Sequence, residues 1–198
     1  ENNTVSGNAL NGNHRGLSII DSNDTVVRNN TCTGNDQYGV MLYRASRSMV
    51  ENNNCSGNGI NGNYMGSSGP CVITGNVVMG NIEHGINISD ATSSGNLMYG
   101  NILIGNHGSS SIYNSSFVQA YDAGANQWNS SDRGNLWGDW TSPDANGDGI
   151  VDVPYLIEGG ASRDELPMAV NLVIRVPASV SYTNGSISLV SGSAYFAI

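Results

Sequence analysis

The feature that most constrains this chain is a recurring frame: Asn, three variable residues, Gly, Asn. It occurs at Asn3–Asn8, Asn30–Asn35, Asn53–Asn58, Asn76–Asn81 and Asn101–Asn106, with starts 27, 23, 23 and 25 residues apart. A period near 23 residues means a solenoid in which each repeat forms one coil. Two residues after the first Asn stand Val5, Cys32, Cys55, Val78 and Leu103, and four before it stand Val26, Met49, Val72 and Leu97. Both columns read as apolar ladders pointing into a core. A glycine four residues after the second Asn, at Gly39, Gly62 and Gly85, opens short runs such as Val40-Met41-Leu42 and Ile86-Asn87-Ile88. The first copy reaches its equivalent, Gly16, after four extra residues, which accounts for its longer step. The runs are too short for helices, β-branched residues are common, and Gly and Asn punctuate them. No window sustains a 3.6-residue period. The expected fold is all-β, a parallel β-helix of about 23 residues per coil.

Asparagine has a physical job in such a fold. Coils stack at about 4.8 Å, the interstrand spacing, so an Asn at the same turn of each coil meets identical amides above and below. Each amide donates to one neighbour and accepts from the other, and Asn and Gly tolerate the left-handed conformation of tight turns. The Asn columns are therefore read as architecture.

The charge balance narrows the partners. Sixteen acidic and seven basic residues give a formal charge of −9, which lacks the basic footprint of a nucleic-acid binder and permits hard cations. No apolar stretch is long enough for a membrane span. Glu1 falls inside a repeat, so the chain is expected to be a piece of a longer product whose leader has been removed. Cys32 and Cys55 share an inward column but fit disulfide geometry poorly and read as small buried hydrophobes. Cys71, in a column with Thr25, Ser48 and Asn96, reads as partly buried. Glycosylation sequons begin at Asn2, Asn23, Asn29, Asn54, Asn87, Asn114, Asn129 and Asn184, compatible with a glycosylated surface protein.

The chain divides into coils at 1–120, a capping segment at 121–168 and additional strands at 169–198. In the third coil, Gly59 to Pro70, Asn63 replaces the usual apolar residue, and a solvent-facing bulge is expected there. The capping segment holds all three tryptophans, Trp128, Trp137 and Trp140, which with Tyr155 suit covering the open end of a β-helix core. Within it, Asp144, Asn146, Asp148, Gly149, Ile150 and Asp152 match the first two-thirds of a calcium loop: side-chain oxygens at alternate positions, a glycine at the sharp turn, a backbone carbonyl, then an acid. Tyr155 stands where an EF-hand places its bidentate Glu, so Asp139, Glu158 or Asp164 is expected to complete the shell. Calcium is the cofactor expected, in a structural role. After Met168, Val170, Leu172, Ile174 and Val176 alternate with smaller or polar residues, and Ser186–Ile198 reads as another strand pair. These strands begin a further domain or are donated to a neighbouring molecule.

The punctuated coils, the Trp-rich stretch, the Asp-x-Asn-x-Asp-Gly-x-x-Asp loop, Pro154-Tyr155 and the Asp164–Met168 ending resemble the NosD-type right-handed parallel β-helix family over roughly residues 1–168. The resemblance implies an exported β-helix, with repeats shared with carbohydrate-binding and sugar-hydrolase domains and abundant in archaeal surface proteins. It also implies copper binding linked to nitrous oxide reductase maturation. Copper needs clustered His, Cys or Met. Here His14, His84 and His107 fall in different columns, and Met41, Met49, Met65, Met79, Met98 and Met168 are scattered. His84 and His107, on adjacent coils a few residues offset, read as exposed turn residues, with a metal pair as the alternative.

The acids and arginines of the coils fall in few matching columns and lack the paired constellation of a lyase or hydrolase. The expectation is a non-enzymatic extracellular surface protein that assembles into a layer or filament, a homo-oligomer through end-to-end or strand-donation contacts. A periplasmic glycan- or copper-binding module and a polysaccharide lyase or hydrolase are the alternatives.

Overall fold

A computed structural model describes residues 2–170, 180–183 and 186–189. Three parallel sheets run the length of a β-solenoid. The first stacks Thr4–Ser6, Val26–Arg28, Met49–Glu51, Val72–Thr74 and Leu97–Tyr99 in register. The second stacks Val77–Met79, Ile102–Ile104 and Leu136–Trp137, and single bridges through Ala9, Thr31 and Asn54 extend it toward the first coil. The third stacks Leu17–Ile20, Val40–Tyr43, Asn63–Gly66, Ile86–Ile88 and Ala120–Asp122. The sheets thus run on into the capping segment.

Two register readings are corrected. Val5 pairs with Val27, and the partner of Asn30 is Asn8, whose Nδ2 donates to Asn30 Oδ1 at 2.9 Å. The true first frame is Asn8–Asn13, which overlaps Asn3–Asn8 at one residue, so the long first step is an artefact of the wrong frame. The Val26, Met49, Val72 and Leu97 column is aligned as expected but half-buried. The residue after each, Val27, Val50, Ile73 and Met98, points inward and is at most 1% exposed. A shift of one residue along a strand exchanges its two faces. The Cys32, Cys55, Val78, Leu103 ladder is fully buried, and the cysteines are free thiols. Cys71 is buried too, and desolvation raises its thiol above the ordinary value. The third coil carries no bulge: Asn63–Gly66 continues the third sheet on both sides, and Asn63 faces inward with neither amide atom bonded.

The Asn columns form directional amide ladders. Nδ2 of each residue donates to Oδ1 of the next from Asn8 through Asn30, Asn53, Asn76 and Asn101 to Asn135, at 2.9–3.0 Å. A second ladder runs from Asn35 through Asn58, Asn81 and Asn106 to Gln119. Because every donor points the same way, each ladder ends on an acceptor, and buried aspartates are among them: Asn135 Nδ2 donates to Asp164 Oδ2 at 3.2 Å, and Gln119 Nε2 to Asp139 Oδ1 at 2.5 Å. A shorter ladder, Asn96 to Asn126, ends on Asp122. Tryptophans close the core at the same level. Trp128 and Trp137 are fully buried, and Tyr155 stacks on Trp137 with ring centroids 3.9 Å apart.

Beyond Met168, Val180–Thr183 pairs antiparallel with Ser186–Leu189. The expected partner of the Ser186 strand, within 190–198, lies outside the described residues, as do Leu172, Ile174, Val176 and Asn184. Among the described residues no helix is long and apolar enough to cross a membrane.

Candidate metal centre

The solenoid brings two histidines and a glutamate together at one edge of the third sheet. His84 lies in the turn before Ile86–Ile88, where its carbonyl accepts from Gly62 N–H. His107 follows the ladder residue Asn106, and its N–H donates to the carbonyls of Asn81 and Glu83 on the preceding coil. That bond pair ties the two turns together and holds His107 at φ +54°, a left-handed conformation uncommon outside glycine and found where surrounding structure enforces it. The imidazole rings sit with centroids 4.3 Å apart. Glu158 comes from the capping segment, where its backbone bridges to Tyr121 and its carbonyl accepts from Asp122 N–H at 2.7 Å. Its Oε2 lies 3.2 Å from His84 Nε2. One ligand atom from each of the three residues falls within 4.8 Å of the others.

The surroundings suit metal ligation. His84 is 7% exposed, and its Nδ1 is enclosed with no hydrogen-bond partner. Burial lowers its pKa, with the Glu158 carboxylate opposing, which favours the neutral imidazole a metal requires. His107 Nδ1 stands 3.2 Å from the Val118 carbonyl; donation there fixes the tautomer and leaves Nε2 as the free lone pair. Tyr121 and Phe117 flank the imidazoles, with ring centroids 5.6 Å from His84 and 6.1 Å from His107.

Reading His84 and His107 as exposed turn residues is therefore corrected: the first is buried and the two are in contact. Their separation of 23 residues, within two of the 25-residue step from Asn81 to Asn106, is the signal in the sequence. Glu158 lies beyond the repeats, where periodicity gives no guide. His14 stays apart, exposed and 3.7 Å from Asp36.

The calcium-type residues lie together in one loop. Asp144 Oδ1 accepts from the amides of Gly147 and Asp148, and its Oδ2 from Gly149. Asn146 Nδ2 donates to Asp148 Oδ2, Ile150 N–H to Asp148 Oδ1, and Ala145 N–H to Asp152 Oδ2. The acids expected to complete the shell are committed elsewhere. Asp139 accepts from Gln119, Glu158 faces His84, and Asp164 accepts from Asn135 and Trp137. Of the sequons, Asn2, Asn29, Asn54 and Asn114 are exposed. Asn23 accepts from Ser46, Asn129 accepts from Glu165 N–H, and the Asn87 carbonyl is enclosed.

Neither a curated protein nor a solved structure matches the chain. A family model described as periplasmic copper-binding protein (NosD) matches residues 1–142, and the chain belongs to that family.

Proposed function

We propose that the chain is an exported, periplasmic or extracellular β-helix module that holds copper through His84, His107 and Glu158. The observation that carries this reading is the convergence of the three ligand atoms within 4.8 Å. Two imidazoles and a carboxylate are borderline-to-hard donors that suit copper(II), which outcompetes the other first-row divalent ions on such a set. Copper supplies a Lewis-acidic, redox-active centre when bound. The residues hold it, exclude water on the buried His84 side, and favour the neutral His84 imidazole through its burial.

The test is calorimetric titration of the full chain with copper(II), paired with electron paramagnetic resonance. One ion per chain with nitrogen couplings from two imidazoles is expected. His107→Ala should weaken binding by more than the roughly 10–100-fold typical of an outer-shell change. Equal affinity in the wild type, His84→Ala and His107→Ala would refute the assignment.

A structural calcium ion in the Asp144–Asp152 loop is a second, independent proposal, supported by the pre-closed turn around Asp144. Assembly into a surface layer or filament rested on the open coil end and residues 169–198, most of which lie outside the described residues, and adds nothing to the metal reading.

A further inference from the structure

We infer that His84, His107 and Glu158 act as a metal-dependent clasp, so that metal occupancy and docking of the 155–163 hairpin onto the last coils are one equilibrium. This rests on the metal reading above. The three ligands come from three separate parts of the chain: a turn of one coil, the turn of the next, and the terminal hairpin. Two of them are fixed relative to each other by the coil-to-coil bonds from His107 N–H to Asn81 and Glu83. The third is carried by an exposed hairpin tip joined to the third sheet by two backbone bonds.

The hairpin pairs Tyr155–Leu156 with Arg163–Asp164 and closes through Ile157 N–H on Ser162 O. Its base is anchored by buried groups: the Tyr155 ring on Trp137, Ile157, and Asp164 at the ladder end. Its tip, Glu158 to Gly160, is exposed and contains Gly159 at φ +101°. Backbone bonds at 2.7 Å (Asp122 N–H to Glu158 O) and at 3.4 Å (Glu158 N–H to Ala120 O) join the tip to the third sheet. The Glu158 side chain reaches inward to His84 across this junction. A Cβ at Gly159 would meet the Tyr121 ring and the Asp122 carbonyl within 2.9 Å, so the tip sits directly on the residue that walls His84. Lifting the tip removes Glu158 from the other two ligands, and holding all three on one ion forbids that movement.

The linkage is quantitative. An ion bound only by the closed form, at a free concentration 100 times its Kd, lowers the tip-opening equilibrium by about 100-fold. Amide hydrogen exchange reads this directly in the full chain, with copper(II) alone as the probe and calorimetry run alongside. Exchange at 155–163 and at Asp122 should slow by up to about 100-fold with saturating copper, while the distal coils from Val26 to Glu51 stay unchanged. Glu158→Gln, a change at a partly exposed side chain, should retain the fold, bind copper more weakly and lose the copper-dependent protection. Binding with no change in hairpin exchange, or unaltered affinity in Glu158→Gln, overturns the clasp and leaves copper binding at the histidines standing. Failure to bind copper at all overturns both readings.

Discussion

Asp164 is the sharpest test of the amide ladder as a directed structure. It is fully buried. Its Oδ2 accepts from Asn135 N–H at 2.7 Å, Asn135 Nδ2 at 3.2 Å and Trp137 Nε1 at 2.9 Å, and its Oδ1 accepts from Leu166 N–H at 3.1 Å. In Asp164→Ala, Asn135 Nδ2 keeps the carbonyls of Met98 and Trp128, but the other three donors lose these acceptors. At about 1–3 kcal/mol for each unsatisfied buried donor, the loss is at least about 3 kcal/mol. Water entering the vacated space keeps the expected value near 3–5 kcal/mol. Asp164→Asn leaves an oxygen where Oδ2 stood and sets an amide NH₂ against Leu166 N–H, so one acceptor is lost and the expected cost is about 1–3 kcal/mol. Because all three tryptophans lie between 128 and 140, urea unfolding followed by tryptophan emission reports this end of the solenoid. If both variants unfold within about 0.5 kcal/mol of the wild type, the ladder end is not stabilising. If the Asn variant is as costly as the Ala variant, charge rather than acceptor geometry is what counts.

Four further outcomes are expected. Asn63→Val removes two unpaired buried amide atoms from a column flanked by Val40 and Ile86 and should stabilise by about 1–3 kcal/mol; a lower urea midpoint would mean that the amide has a buried partner such as water. Asp139 is raised above its ordinary value by burial, so its contribution is fully present below the unfolded value near 3.9 and lost as pH rises through the folded one. Asp139→Asn, which keeps an oxygen for Gln119, should therefore gain on the wild type in urea midpoint between pH 4 and 7, and an unchanged difference would remove the effect. Calcium at 100 times its Kd should raise cap stability by about 2.7 kcal/mol, reversibly with a chelator and not in Asp144→Asn; no shift in the emission midpoint would rule out the loop as a site. Copper affinity should fall as pH drops through the imidazole range near 6.5, and calorimetry giving equal affinity at pH 7 and 5 would exclude imidazole ligands.

The solenoid was legible because a fold built by repetition writes its period into the sequence. What repetition left ambiguous was phase. Asn3–Asn8 and Asn8–Asn13 both satisfy the frame and share Asn8, and the Val5–Val27 pairing and the Asn8–Asn30 bond separate them. The same ambiguity hid the inward face, since four of the five strands of the first sheet carry two adjacent apolar residues, Val26-Val27, Met49-Val50, Val72-Ile73 and Leu97-Met98. Periodicity says that such a strand is buried on one side without saying which.

The metal centre is less legible for a related reason. A column analysis finds residues that share a position within the repeat, as the ladder asparagines do, and those are architectural. His84 and His107 stand three and one residues after their ladder asparagines, Asn81 and Asn106, in a pair of coils whose step has grown to 25. The two extra residues of that step lie between Ile88 and Leu97, beyond His84 and before Asn106; the rings meet because His107 N–H is pinned to Asn81 and Glu83. Glu158 arrives from a segment with no repeat at all, placed by the strand-like pairing of its backbone with Tyr121. Two of the three ligands stand where the repeat gives way, His107 at the ladder turn before the 107–118 excursion to Gln119 and Glu158 in the capping segment. A search of related solenoids should therefore weigh His, Asp and Glu beside coil-length irregularities above those in perfect columns.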